Sequence, residues 1–168
     1  EALDIFFNDS KGVIKLDKDD INKQGLAEGD SEIVISICFE ELPTNIVIDA
    51  INETTLQAEY LLNSDNQLEI IKKYPNAGKE KVFVKANHPT NESCKDLLQK
   101  KNTDYQKIIR DNSITCTNQT INAVMREAIW THFNSDLQLS EIEIDVTKGE
   151  TKSIWDKLQN YLPLYSLF

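Results

Sequence analysis

The clearest pattern in the chain is an alternation of apolar and polar positions between residues 32 and 40. Every second residue is large and apolar, and the members of this face are Ile33, Ile35, Ile37 and Phe39. Successive side chains of a strand point to opposite faces, so a period of two predicts a β-strand with one apolar face. Pro43 has no backbone N–H and is expected to end the strand, before a short helix over Thr44–Ile51.

Three more short strands are predicted, and tight turns separate them. Alternating apolar positions indicate strands over Thr55–Leu62, Leu68–Tyr74 and Lys81–Ala86. The clusters Asn63–Asn66 and Pro75–Gly78 are rich in the residue types that favour turns. Short strands joined by tight turns are typical of an antiparallel meander and not of parallel βαβ units.

Helical periodicity dominates the middle of the chain. Apolar residues recur every three or four positions over Asn91–Asn112, with an expected break near Asn102, and again over Asn118–Phe133. Either Asn118 or Thr120 can cap the second helix, because both side chains carry the acceptor oxygen that an N-cap needs. We expect the two helices to pack on each other or across one face of the sheet.

The C-terminal part returns to mixed structure. Residues 141–146 alternate between acidic and branched apolar side chains, which predicts a strand with one face in water. A helix is expected over Thr151–Asn160. The apolar run Tyr161–Phe168 is interpreted as a strand whose pairing partner lies outside the chain.

Together these elements predict an α+β fold, built as an antiparallel β-meander lobe with a helical insertion. The expected organisation is a β-rich lobe over residues 1–88, a helical insertion over 89–136, and a returning strand–helix–strand of the same lobe over 137–168. With 168 residues the chain is long enough to bury one proper core.

Composition narrows the function classes. The chain is 40% hydrophobic and 27% charged, and its formal net charge of -10 argues against a primary nucleic-acid surface, which needs clustered Lys and Arg. No apolar run approaches the roughly 20 residues that span a bilayer. Cys38, Cys94 and Cys116 have no metal or disulfide spacing, and we expect reduced structural thiols in a cytoplasmic protein, with Cys38 in a packed layer of the sheet.

Motifs that would carry chemistry are missing from the sequence. No GxxxxGK[ST] or GxGxxG run is present, and five glycines are too few for a loop that cradles phosphate. His88 and His132 are far apart and have no ligand spacing around them. We therefore predict no catalytic residue, no metal site and no nucleotide-binding residue within the chain.

Two further groups of residues are candidates for a role. Glu141, Glu143 and Asp145 form a carboxylate row, which is interpreted as the wet face of a half-buried strand and not as a magnesium or acid–base site. Arg126 and Trp130 lie four residues apart on a predicted helix. They form either an exposed patch that contacts a partner, or a site where Arg126 pairs with a nearby Asp or Glu.

The N-terminal run Glu1–Phe7 is strongly apolar, has helical character, and begins without a capping residue. It resembles the back half of the phosphate-loop helix in ATP-binding-cassette heads of the OLD-nuclease and SMC–RecF-like ATPases. Three more segments resemble parts of such heads: Glu32–Pro43 a strand that ends in Phe-x-x-Leu-Pro, Asn118–Trp130 an inserted helix, and Tyr161–Phe168 a strand that leads to a nucleotide-contacting loop.

This resemblance implies that the chain is part of an ATPase head whose Walker A loop lies just before Glu1. The whole ATPase would then use ATP and Mg²⁺, dimerise head to head, and couple ATP to DNA processing or phage defence in the cytoplasm. The chain itself would be non-catalytic and would support the nucleotide-binding core. Its expected partners are the remainder of its own domain and a second copy, with DNA reached only through other parts and no membrane.

A different class of function is also compatible with the sequence. The chain could be a self-contained acidic module that binds a basic protein and performs no nucleotide chemistry. The ends discriminate between the two interpretations, because a module should tie Glu1 and Phe168 to its own surface, whereas a fragment should leave them unpaired.

Overall fold

Four strands form one antiparallel sheet in which sequence order and spatial order coincide. The computed structural model describes residues 1–8, 11–49 and 52–166. The strands are β1 (Glu32–Phe39), β2 (Leu68–Pro75), β3 (Lys81–Pro89) and β4 (Leu139–Asp145), and the sheet order is β1-β2-β3-β4. Together with the helices, this sheet confirms the predicted α+β class and the antiparallel meander.

Register places one face of every strand toward the core. Ile35 lies opposite Lys72, Ile70 opposite Val84, and Val84 opposite Ile144. Because paired residues of an antiparallel sheet share a face, these rows continue from strand to strand. The buried core residues that the sheet contributes are Leu68, Ile70, Tyr74, Val82, Val84, Ala86 and Ile144.

The α-helices of the described residues are α1 (Ala2–Asn8), α2 (Lys23–Ala27), α3 (Asn102–Asp111), α4 (Asn122–His132) and α5 (Thr151–Leu158). Helices α3 and α4 lie in the connection between β3 and β4 and pack on each other. Their buried residues, which include Tyr105, Ile109, Met125 and Ile129, join the same hydrophobic core as the sheet. Within the described part of the chain, no helix is long and apolar enough to cross a bilayer.

The segment between β1 and β2 differs most from the sequence prediction. The helix expected over Thr44–Ile51 is absent from the described residues up to 49, where Ile46 and Thr54 instead form an isolated antiparallel bridge. Ile46 and Ile48 are both fully buried, so the β-branched run buries every second residue as an extended chain does. The end of that predicted helix, residues 50 and 51, lies outside the described part of the chain.

The predicted strand over Thr55–Leu62 is also wrong. Residues 56–60 form consecutive turns, and Leu56, Glu59 and Leu61 are buried. Tyr60 has a left-handed backbone with φ of 52°, which a strand does not allow. The turn Asn63–Asn66 is present, closed by a hydrogen bond from the Asn66 N–H to the Asn63 carbonyl, but the strand expected before it is not.

The two helical predictions are correct in type and too long in extent. The break near Asn102 is confirmed, because α3 begins there and residues 92–99 form turns and a short 3-10 segment. Helix α4 begins at Asn122, and neither predicted residue caps it. The Asn118 side chain instead accepts hydrogen bonds from the N–H and hydroxyl of Thr120 in a turn before the helix.

Near the C-terminus, β4 and α5 confirm the predicted strand and helix. The strand expected over Tyr161–Phe168 is not formed in its described residues: a 3-10 turn ends at Tyr161 and residues 163–166 have no regular structure. Its last two residues lie outside the described part. The Tyr161 hydroxyl accepts a hydrogen bond from the Val47 N–H, which ties this segment to the loop after β1.

Candidate functional site

Helix α1 carries a buried carboxylate that holds the following loop. Asp4 is 1% exposed and accepts hydrogen bonds of 2.7 Å from the Ile14 N–H and from the Asn8 side-chain amide. The Ile14 hydrogen bond holds the pKa of Asp4 below its ordinary value, against the opposing effect of burial. A charged Asp4 thus connects α1 to the loop that returns over it.

Gly12 lies directly against this carboxylate. A Cβ atom built at Gly12 would lie 2.5 Å from the Asp4 Oδ2 atom. The carboxylate is held by its two hydrogen bonds, so a side chain at position 12 would collide with it unless one of those hydrogen bonds changed. Gly12 therefore packs directly on the Asp4 side chain of α1.

The C-terminal end of α1 is held by a lysine from the sheet. The Lys72 ammonium donates a 2.6 Å hydrogen bond to the Phe6 carbonyl, and its side chain is buried on the core side of β2. The same ammonium lies 5.0 Å from the Phe6 ring centroid and 5.9 Å from that of Trp155 in α5. One side chain thus connects β2, α1 and α5.

Aromatic rings also pack against α1. The Phe7 ring packs edge-on against Phe39 at the end of β1, with centroids 6.1 Å apart, and stacks on Tyr165 at 5.8 Å. Phe6 is fully buried. Both ends of the described chain therefore meet beside the last residue of β1.

Arg126 lies in the interior, where a fully formed ion-pair network surrounds it. Its side chain is 1% exposed, and its Nε and Nη2 atoms donate hydrogen bonds of 2.6 and 2.8 Å to the two carboxylate oxygens of Glu59. Its Nη1 atom lies 2.7 Å from a carboxylate oxygen of Asp49. Burial alone would lower the pKa of Arg126, but the hydrogen bonds and charge of Glu59 and the charge of Asp49 outweigh it and raise the pKa.

This geometry corrects one interpretation of Arg126 and Trp130 and confirms the other. Trp130 is 2% exposed, donates its indole N–H to the Cys94 carbonyl at 3.1 Å, and packs edge-on against Tyr60. An exposed contact patch is therefore not available from these two side chains. The alternative, that Arg126 pairs with acidic residues, is what the fold forms, because α4 turns this face toward Asp49 and Glu59.

The carboxylate row on β4 lies on the outer face of the sheet, as predicted. Lys73 pairs with Glu143, and Lys85 bridges Glu69 and Glu141 at 3.5 Å each. These groups are partly exposed and neutralise one another across strands. Over residues 1–8, 11–49 and 52–166, no group of three or more His, Cys, Asp or Glu side chains has an arrangement that could hold a metal ion.

The three cysteines are free thiols. Cys38 is exposed, contrary to the prediction that it lies in a packed layer, because the odd-numbered residues of β1 take the inner face. Partial desolvation of the sulfur, with the charge of Glu69, raises the pKa of Cys38, and burial raises the pKa of Cys94. A raised pKa disfavours the reactive thiolate at both positions.

The five glycines of the chain are dispersed and form no glycine-rich run. Phosphate loops converge several backbone N–H groups from a glycine-rich turn at a helix N-terminus. Gly12, the glycine nearest to α1 in the sequence, lies against the Asp4 carboxylate and not beside open space.

Comparison with known proteins supplies the family. A family model described as AAA ATPase domain matches residues 1–168. The chain belongs to the AAA ATPase domain family. No curated protein and no solved structure matches it. Membership in the AAA ATPase family implies use of a nucleotide and Mg²⁺ by the ATPase to which these residues belong, which is consistent with the α1 resemblance at family level.

Proposed function

We propose that this AAA ATPase domain chain is the β-lobe of an OLD/SMC-like ATPase head, in which it supports the nucleotide-binding core and performs no catalysis itself. The observation that carries this proposal is the way in which buried side chains hold α1 in place. A seven-residue helix is held by a buried carboxylate, a buried ammonium and two phenylalanines. Such fixation suits a helix whose preceding loop must hold a phosphate in place.

The open edge of the sheet supports the same proposal. Among the described residues, β1 pairs on one side only, and its eight residues Glu32–Phe39 lie in unbroken register with β2. Val34 is 53% exposed, and no Lys, Pro or bulge blunts this edge. Long apolar edges of this kind are covered in native assemblies, and the remainder of the same ATPase domain is the partner that we assign to it.

The proposed whole protein works in the cytoplasm, dimerises head to head around ATP and Mg²⁺, and couples ATP to DNA processing or phage defence. The net charge of -10 makes residues 1–168 a poor surface for DNA, so DNA is assigned to other parts of the protein. The acidic chain contributes support for the core and for head dimerisation.

ATP binding by calorimetry tests the proposal. The 168-residue chain is compared with a polypeptide extended N-terminally from its reading frame, and with the same extended polypeptide after substitution of its Walker A lysine by alanine. We expect binding only for the extended wild type. Tight ATP binding by the 168-residue chain, or a reading frame without a GxxxxGK[ST] run before Glu1, would refute it.

A second candidate function, the acidic interaction module, is favoured by a specific cleft. A cavity of about 280 Å³ lies beyond the end of β1, with an apolar floor that includes Leu42, Ile46 and Leu158, and with Glu40 and Glu41 at its rim. This chemistry suits an apolar anchor next to basic residues of a partner protein. Salt-sensitive binding of a Lys-flanked Leu/Phe peptide, lost in Glu40→Lys/Glu41→Lys, with no ATP binding by any extension, would make this candidate the better one.

A further inference from the structure

Lys72 occupies a position where the strand pattern calls for an apolar residue. Its neighbours across the sheet are Ile35 on β1 and Val82 on β3, and the flanking inner-face residues of its own strand, Ile70 and Tyr74, are fully buried. A buried ammonium is costly unless hydrogen bonds satisfy it. A lysine that is 3% exposed at this point must therefore serve something that an apolar side chain could not.

One polar partner of the lysine lies at the end of α1. The last four carbonyl groups of a helix have no partner within the helix. The Lys11 N–H satisfies the Asn8 carbonyl at 2.7 Å, and the Lys72 ammonium satisfies the Phe6 carbonyl at 2.6 Å. A cation at a helix C-terminus also interacts favourably with the helix dipole. The lysine thus combines two stabilising contacts with α1.

The hydrogen bond from Lys72 to the Phe6 carbonyl restricts the position of α1 along its own axis. Ring packing by Phe6 and Phe7 is tolerant of small sliding movements, whereas a 2.6 Å hydrogen bond to one particular carbonyl is not. Asp4 fixes the other side of α1 through the Ile14 N–H. The helix is held between a cation from the sheet and its own buried carboxylate.

We propose that Lys72 is a positioning residue, which sets the axial position of α1 and, through it, the phosphate-binding loop. The second half of this inference rests on the proposed function. Lys72 acts without touching a nucleotide: it lies at the C-terminal end of α1, and the loop would lie at the other end. Loss of the ammonium would let α1 shift or fray while the sheet stays intact.

Lys73 provides a matched control on the same strand. It is adjacent in sequence and the same residue type, but it lies on the outer face, pairs with Glu143 and lies 4.9 Å from the Phe83 ring centroid. Lys72→Met and Lys73→Met therefore remove the same group from opposite faces. Lys72→Arg keeps a positive donor, and Lys72→Gln serves if the Met variant does not accumulate as folded protein.

Hydrogen–deuterium exchange on the 168-residue chain is the first readout. We expect the amides of Ile5–Asn8 to exchange roughly threefold to thirtyfold faster in Lys72→Met, the ratio that a helix-end charge interaction corresponds to. The amides of β2 and β3 should not change, Lys73→Met should match the wild type, and Lys72→Arg should recover part of the protection. Unchanged α1 exchange in Lys72→Met, or an equal increase across sheet and helix, would overturn the proposal.

ATP affinity in the N-terminally extended polypeptide is the second readout. Lys72→Met is expected to weaken ATP binding about tenfold, which corresponds to one strong helix-end interaction, with partial rescue by Lys72→Arg and no effect of Lys73→Met. Equal ATP binding by wild type and Lys72→Met would overturn the link to the nucleotide. If the extended wild type binds no ATP, the proposed function fails, and the exchange experiment alone decides the role of Lys72 in α1.

Discussion

The two sides of the sheet both carry charged residues, but they use them differently. On the outer side, Lys73 and Lys85 pair with carboxylates of neighbouring strands while remaining partly in contact with water. On the inner side, Lys72 and Arg126 are 3% and 1% exposed and are held by short hydrogen bonds. Lysine is therefore a partly hydrated surface residue on the outer face, whereas on the inner face it is buried and hydrogen-bonded to the backbone.

The largest effect is expected from Arg126→Met. Removal of one partner of a buried ion pair leaves Glu59 buried without its counter-charge, which should lower the free energy of unfolding by about 3–5 kcal/mol. Urea denaturation followed by circular dichroism measures this loss. Arg126→Met/Glu59→Met should recover a large part of it, because the buried Glu59 carboxylate is then removed as well and only Asp49, which is 14% exposed, loses its partner. A loss as small as that of Lys73→Met would remove the distinction between the two sides.

Gly12→Ala tests how rigidly the buried Asp4 carboxylate is held on the inner side. The added methyl meets a carboxylate 2.5 Å away, and such overpacking should cost about 1–3 kcal/mol of unfolding free energy. The cost should largely disappear in an Asp4→Ala background, which a double-mutant cycle by urea denaturation measures. Additive effects of the two substitutions would show that the carboxylate is not the obstacle.

The inner side should also respond to acid through His88. Burial lowers the pKa of His88 below 6.5, against the hydrogen bond from its Nδ1 atom to the Tyr60 carbonyl. Below pH 6.5 the unfolded chain binds a proton that the folded chain does not, so stability falls as pH falls from that value toward the lower folded pKa. Denaturation midpoints between pH 7 and pH 5, with Trp130 fluorescence as the probe, measure the slope. The slope should be smaller in His88→Gln, and an unchanged slope would contradict the assignment.

The smallest effect is expected on the outer side. Lys85→Met removes two partly exposed ion pairs and should change the free energy of unfolding by at most about 1 kcal/mol. Any change should shrink further in 0.5 M salt, since exposed charges are screened. If urea denaturation shows that Lys85→Met lowers the free energy of unfolding by more than about 2 kcal/mol, the outer ion pairs stabilise the fold as much as buried ones do, and the proposed difference between the two faces is wrong.

Local patterns predicted the regular elements well and the irregular ones poorly. Alternation identified β1 and β4, and apolar helical spacing identified α4 and α5. The structure of residues 44–49 and 52–62 was not predicted correctly, because their burial depends on contacts with distant elements. Glu59 is buried because Arg126, 67 positions later in the chain, binds it, and a short sequence window contains no sign of that pairing.

The role of Arg126 shows the same limit. Its sequence context allowed either an exposed patch or an acidic partner, and only the approach of α4 to Asp49 and Glu59 selected the partner. Adjacent residues of a strand point to opposite faces, and Lys72 is the member of the pair with Lys73 that faces the core. The sequence did not reveal that the Phe6 carbonyl, near the end of α1, accepts a hydrogen bond from the Lys72 ammonium.

The sequence by itself determined the α+β class and the four strands of the antiparallel meander. These depend on side-chain periodicity and turn chemistry, which act over a few residues. The tertiary structure alone decided which charged residues are buried and what they hold. Burial of Arg126, Asp4 and Lys72 depends on partners brought from up to 67 positions away, because a charge can leave water only where the fold supplies hydrogen bonds in return.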